Sequence, residues 1–163
     1  MAEGDALEIS KKTDYAIRML AELVRNDGEI ISVHEASEKN DVPYSFARSI
    51  QHDLVRAGIV SSVRGSRGGM RLAVDPKKTT VCEIVEAIQG PICVAECDTE
   101  GAEDGSPKSS RAFNAIWNDA DQLLHDYFDA VTLYQVVMEG RRPVLRNGRD
   151  FVAMTSEERA ALT

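Results

Sequence analysis

Residues 43–76 constrain this chain more than any other segment. They read Pro-Tyr-Ser-Phe-Ala-Arg-Ser-Ile-Gln-His-Asp-Leu-Val-Arg-Ala-Gly-Ile-Val, then Ser-Ser-Val-Arg-Gly-Ser-Arg-Gly-Gly-Met-Arg-Leu-Ala-Val-Asp-Pro. The first half predicts a helix over about 44–57, with Phe46, Ile50, Leu54 and Val55 as its inner stripe. Gly58 suits the left-handed residue that closes such a helix. Residues 59–63 and 70–74 then read as two short strands, with Met70, Leu72 and Val74 on one face by alternation. Between them lies Arg64-Gly65-Ser66-Arg67-Gly68-Gly69, whose glycines permit positive backbone angles and close approach to another backbone. A helix joined directly to a basic hairpin tip can enter a DNA major groove while the hairpin, as a wing, reaches the neighbouring minor groove.

The preceding residues supply the rest of a helix-turn-helix. Tyr15, Met19, Leu20, Leu23 and Val24 recur at helical spacing within 10–26, Ser10 can cap that helix, and Asn26-Asp27-Gly28 ends it. Ile30 and Ile31 form a short strand. Ser32 or His34 opens a helix through Lys39, and Asn40-Asp41-Val42-Pro43 breaks it before the next begins. Beyond the wing, Thr80 and Glu83 have the spacing of a capping box for a helix to Gln89, with Val81, Ile84, Val85 and Ile88 inward.

A long helix is predicted from about Ser109. Phe113, Ile116, Trp117, Ala120, Leu123, Leu124, Tyr127, Phe128 and Val131 mark its apolar positions. A small winged domain cannot cover that much apolar surface, so a partner is expected, most simply a second copy in a two-fold dimer. Phe113, Ile116, Trp117, Leu123, Leu124 and Phe128 are the candidate interface residues. Thr132 with Gln135 starts a short helix to Glu139. The expected fold is mainly α with a small β-hairpin wing. It divides into a flexible lead at 1–9, a winged helix-turn-helix at 10–90, a cysteine-bearing sensor loop at 91–108, a dimerisation helix region at 109–140, and a tail at 141–163 with one turn after Thr155-Ser156.

The total charge of −8 conflicts with DNA binding until its distribution is considered. Residues 43–78 hold seven basic and two acidic side chains, a local balance of +5 that leaves −13 for the rest. Affinity for DNA follows the local basic footprint, and the acidic remainder orients that face toward phosphate. No apolar run approaches the ~20 residues of a membrane span. The N-terminus, Met-Ala-Glu-Gly-Asp-Ala, lacks an apolar secretion core, and three cysteines argue against a secreted disulfide framework. These features predict a cytoplasmic, non-membrane protein. No phosphate-binding loop, nucleophile–base pairing or metalloprotease spacing is present, so no enzyme is expected.

Three passages carry a family resemblance: Lys12-Thr13-Asp14-Tyr15-Ala16-Ile17, Leu54-Val55-Arg56-Ala57-Gly58-Ile59-Val60, and Ser62-Val63-Arg64-Gly65 with Gly68-Gly69-Met70-Arg71-Leu72. Together they resemble the Rrf-two family of bacterial transcription regulators, closely over 10–90 and loosely over 91–139. The resemblance implies a homodimer of winged helix-turn-helix domains joined through the long helix. It also implies an iron–sulfur cluster in the loop before that helix as a candidate cofactor.

The loop departs from the family pattern. Cluster-binding relatives carry three cysteines there, whereas this loop has Cys93 and Cys97. Ser106, Ser110 or Arg111 stands where a later cysteine belongs, and Asn114 stands where one relative has a ligand histidine. Two thiolates do not close a four-ligand site. Asp14, Glu8 or His34 are the outside ligands to consider, and the resemblance favours Asp14 for its Thr-Asp context. A cluster with borrowed ligands, a cluster-free thiol switch and an inert vestige remain open for this cysteine pair. The neighbouring acids Glu96, Asp98 and Glu100 raise thiol pKa and weigh against the switch. Cys82 reads as core packing, and His125 as surface.

The candidate DNA contacts are Tyr44, Ser45, Arg48, Ser49, Gln51 and His52 on the helix, and Arg64, Gly65, Ser66, Arg67, Gly68 and Arg71 on the wing. Arginine pairs with guanine and glutamine with adenine through two hydrogen bonds each, which makes Arg48 and Gln51 the direct readers. The expected function is a dimeric, sequence-specific regulator acting on double-stranded DNA, a repressor, with redox or iron–sulfur responsiveness as one option. The rival reading is an iron–sulfur or redox protein that uses the winged fold as a scaffold.

Overall fold

In a computed structural model of the chain, residues 9–94, 108–146, 148 and 150–161 are described. Each of the first helices starts where its cap places it. Ser10 accepts from the Thr13 backbone N–H and opens α1, Lys11–Arg25. Ser32 accepts from Glu35 N–H and opens α2, Val33–Lys39. Such caps satisfy donors that the first helical turn leaves without partners. Asp41, at a positive φ of 52°, turns the chain toward α3, Tyr44–Arg56, which Pro43 precedes without a side-chain cap. The hairpin follows as β1, Val60–Val63, and β2, Gly69–Leu72, antiparallel with Val60 opposite Leu72 and Val63 opposite Gly69.

The predicted short strand at Ile30 and Ile31 is reduced to one bridge: Ile31 and Met70 exchange both backbone hydrogen bonds, at 3.0 and 2.8 Å. That bridge ties the root of the wing to the helices. It also requires glycine at position 69, where an added Cβ would lie 2.2 Å from the Ile31 carbonyl oxygen. Gly68 is constrained in the same way, by the Val63 carbonyl oxygen at 2.4 Å. Of the three tip glycines, only Gly65 has a positive φ, 117°.

In the main core cluster Met19, Leu20, Leu23, Ile50, Leu54, Met70, Ile84 and Leu133 are fully buried. Burying one such side chain contributes about 1.5–3 kcal/mol. Two polar links cross it. Thr13 Oγ1 donates to Gln89 Oε1 at 2.7 Å, joining α1 to α4, and the Lys12 ammonium pairs with the Asp53 carboxylate, joining α1 to α3. Helix α4, Val81–Gln89, has both halves of the capping box expected from Thr80 and Glu83.

Helix α6, Leu133–Glu139, is the short second helix expected after the long helix α5, Lys108–Asp129, with its capping box formed by Thr132 and Gln135. It packs on α1. Leu133 is 1% exposed in the main core, and its N–H donates to the Thr79 carbonyl. The expected 109–140 region is therefore divided: α5 leaves the winged domain and α6 returns to it. The expected tail at 141–163 contains a second antiparallel hairpin, β3, Arg142–Arg146, and β4, Asp150–Met154, followed by α7, Ser156–Ala160. This hairpin rests on α5, with the Phe151 ring edge-on to Tyr127 at 5.3 Å. Arg141 links it to α7 through Glu158 at 3.0 Å.

Candidate nucleic-acid interface

On a helix with about 3.6 residues per turn, Ser45, Arg48, Ser49, His52 and Arg56 fall within about a third of the circumference of α3. All five are exposed. The opposite side carries Ala47, Ile50 and Leu54, each 0% exposed. The helix thus presents a polar and basic stripe because its apolar residues are held against α1, α2 and α4. Tyr44 lies at the edge of the stripe and is exposed, 5.9 Å from the His34 ring.

The expected inner stripe needs correction. Phe46 and Val55 are 45% and 39% exposed, and Ala47 takes the inward place instead. Phe46 packs edge-on against Tyr15 at 6.0 Å. Gln51 is the opposite case. The sequence predicts a reader of adenine there, but the residue is 8% exposed. Helical geometry puts it beside Ala47 and Leu54, at the border of the buried arc. Its Oε1 accepts from Arg48 Nη1 at 3.5 Å. Arg56 is not among the expected DNA-facing residues, although its place one turn beyond His52 is legible. It also lies 3.4 Å from Asp53.

Asp53 organises the inner edge of this stripe. It is largely buried, and the Lys12 ammonium beside it holds its carboxyl below the usual range, with smaller contributions from His52 and Arg56. On the wing, Arg64, Ser66, Arg67 and Arg71 are all exposed. Arg71 Nε donates to Ser61 Oγ at 3.3 Å across the two strands. The tip is narrow because Gly65 takes the left-handed angle and Gly68 closes back on it, N–H to carbonyl at 2.9 Å.

A family model described as Rrf2, iron-dependent transcriptional regulator, matches residues 9–139, which include both helices of this motif, the wing and α5. The chain belongs to the Rrf2 family. Among its relatives is protein aau3 of Rhizobium meliloti, 29% identical over 130 residues that cover 80% of this chain and 82% of that one. The HTH-type transcriptional regulator IscR of Cereibacter sphaeroides is 27% identical, covering 84% of this chain and 91% of the relative. Among solved structures, CymR, the global cysteine regulator of B. subtilis, matches with a TM-score of 0.67 and 26% identity, over 82% of this chain and 98% of that one. Like the other Rrf2 proteins, this one is a DNA-binding transcriptional regulator and not an enzyme. No helix among the described residues is long and apolar enough to cross a membrane.

The Rrf2 family model is described as iron-dependent, and of the residues expected to hold a cluster only Cys93, Asp14 and His34 are among the described residues. Cys97 and Glu8 lie outside the described residues. Cys93 is half-buried, next to Val94, whose N–H donates to Asp121 of α5 at 2.6 Å. Asp14 is exposed on α1 and pairs with Arg18 at 2.8 Å. His34 pairs with Glu38 at 3.3 Å. Among the described residues, neither Asp14, His34 nor Cys93 belongs to a group of three or more potential metal ligands within reach of one another. No step is therefore assigned to a cluster.

Cys82 and His125 are the residues whose surroundings the sequence concealed. Cys82 is 4% exposed, packed with Val85 and Ile92 in a second cluster. Burial pushes its thiol up to about 11, with Asp129, Glu86 and Glu83 adding to the shift. His125 is not simply surface: its Nδ1 lies 4.0 Å from Cys82 Sγ and its Nε2 3.5 Å from Glu86.

Helix α5 has two unlike halves. Leu124 and Phe128, expected at a partner surface, are half-buried within the chain itself against that second cluster. Residues 112–119 are exposed at every position. Phe113, Ile116 and Trp117 are 57%, 52% and 41% exposed, and Leu123, further along, is 54% exposed.

Proposed function

We propose that the protein is a homodimeric, cytoplasmic repressor that reads specific DNA sites through α3 and steadies itself through the wing. The observation carrying this reading is the exposed stripe of Ser45, Arg48, Ser49, His52 and Arg56 beside a glycine-built tip bearing Arg64 and Arg67. Arg48 reads guanine through two hydrogen bonds, with Gln51 behind it as a positioning residue. Tyr44, Ser45 and Ser49 bond phosphate near the start of α3, where backbone N–H groups already favour anions. Gly65, Ser66 and Gly68 let the tip approach the duplex, Arg64 and Arg67 enter the minor groove or clamp phosphate, and Arg71 touches the DNA backbone.

The dimer forms on Phe113, Ile116, Trp117 and Leu123. Among the described residues nothing covers this face, and α5 at 22 residues is about 33 Å long, ample for a two-fold seam. A dyad places the two recognition helices at half-sites about one helical turn, roughly 34 Å, apart. A signal at 91–108 reaches that spacing through α5, to which Val94 is tied by Asp121. Selection of bound genomic fragments followed by gel shift tests the reading. Arg48→Ala is expected to lower discrimination between operator and mismatched operator by about 1–3 kcal/mol. Unchanged discrimination would remove α3 as the reader.

A further inference from the structure

The geometry points to a divalent transition-metal site formed by Cys82, Glu86 and His125 at the junction of α4 and α5. Cys82 and Glu86 lie one turn apart on α4, and His125 faces them from α5. One ligand atom from each lies within 4.8 Å of the others. Two ligands on a tetrahedral ion, bound at about 2.0–2.3 Å, sit roughly 3.5 Å apart. Cys82 Sγ lies 4.0 Å from His125 Nδ1 while Glu86 Oε1 lies 3.5 Å from the other ring nitrogen, Nε2, so binding requires the imidazole or the Glu86 side chain to rotate until one nitrogen, the thiolate and the carboxylate converge from within 4.8 Å. One imidazole nitrogen takes the ion, and the other keeps a hydrogen bond that fixes the ring.

The surroundings select a cation. The three residues line an open cleft of about 540 Å³ with Thr80, Glu83, Gln122 and Asp129, and no lysine or arginine is among them. Asp129 lies one turn beyond His125 on α5, so each helix contributes a pair of side chains on one face. Its Oδ1 accepts from Thr80 Oγ1 at 2.7 Å, which fixes a further carboxylate on the cleft wall outside the three-ligand group. A mixed set of sulfur, nitrogen and oxygen excludes magnesium and calcium, which prefer oxygen alone, and suits zinc or ferrous iron. On binding, the Cys82 thiol gives its proton to solvent and the thiolate donates its electron pair to the ion, with no change of oxidation state. Cys93 is not part of this group. An ion here would clamp the winged domain to the long helix, where Leu124 and Phe128 already meet Val85 and Ile92. The consequence for DNA binding rests on the preceding reading; occupancy of the site does not.

The test is an anaerobic Co²⁺ titration of the full chain in a Cys93→Ser/Cys97→Ser background, which removes the loop thiols. The expected result is one Co²⁺ per chain with a thiolate-to-cobalt charge-transfer band in the near ultraviolet, bleached by added Zn²⁺. Cys82→Ser should abolish that band, and His125→Gln and Glu86→Gln should each weaken binding at least about tenfold. His125 and Glu86 side chains are 32% and 41% exposed, so these two variants keep the fold, and a melt without metal checks it. Absence of the band at stoichiometric Co²⁺, or titrations that superimpose for the background and all three variants, would overturn the site. A parent that binds Co²⁺ but no DNA would count against the regulator reading alone.

Discussion

The winged domain and the first half of α5 treat apolar side chains in opposite ways. Around α1, α3 and α4, Met19, Leu20, Ile50, Leu54 and Ile84 are all 0% exposed, and polar links such as Thr13 to Gln89 span helices that already touch. Along 112–119 nothing in the described chain covers Phe113, Ile116 or Trp117. The winged domain is thus completed by its own sequence, down to α6 returning to seal it with Leu133. The helix carries apolar surface that, in the dimer we propose, a second copy covers, so that one chain holds the reading head and the pair sets the distance between two heads.

Substitutions can break or sharpen that contrast. The largest effect is expected in the head: Leu54→Ala should lower unfolding free energy by about 3 kcal/mol in urea melts, since the core can collapse only partly around the space left behind. Gly69→Ala comes next, at about 2 kcal/mol. Its Cβ meets backbone at Ile31, not the end of a pliable side chain, so the wing root must shift and DNA affinity should fall with stability.

Asp53→Asn should cost about 1.5 kcal/mol at pH 7 by removing a charge-assisted partner of Lys12. The sign of its pH dependence is fixed. The folded carboxyl lies below its unfolded value, so the contribution is complete above about pH 4 and disappears as pH falls through the lower folded value. Melts of both proteins should therefore converge in acid. A gap that widened in acid would refute the assignment. Trp117→Ala should change chain stability least, within about 0.5 kcal/mol, yet shift sedimentation from dimer to monomer. A large loss of chain stability with no change in mass would mean that this face is covered by the protein's own residues.

The head is legible because each signal is local. Thr80 with Glu83, and Thr132 with Gln135, announce helix starts three residues ahead, and Gly65, Gly68 and Gly69 mark the tip. Gln51 escapes such reading because a polar residue at the border of an apolar stripe has no local signature of burial; packing of α3 on its neighbours decides it. The second hairpin does carry a signal, Asn147-Gly148 between two short apolar runs, and Gly148 has the positive φ of 71° that such a turn needs. The Cys82–His125 pair has none. The two are 43 residues apart, and only the docking of α5 on α4 brings them together. Phe113 and Trp117 are recognisable as surplus apolar surface, whereas Leu124 and Phe128 on the same helix are claimed by Val85 and Ile92, a partnership that depends on where the helix meets the head.

The most direct test of the account is the salt dependence of operator affinity for the parent and for Arg64→Ala/Arg67→Ala. The account predicts weaker binding to every sequence and a log–log slope shallower by about one unit for each phosphate no longer neutralised. Equal affinity and equal slope in the two proteins would contradict it, because the wing would then be no part of the DNA-binding surface.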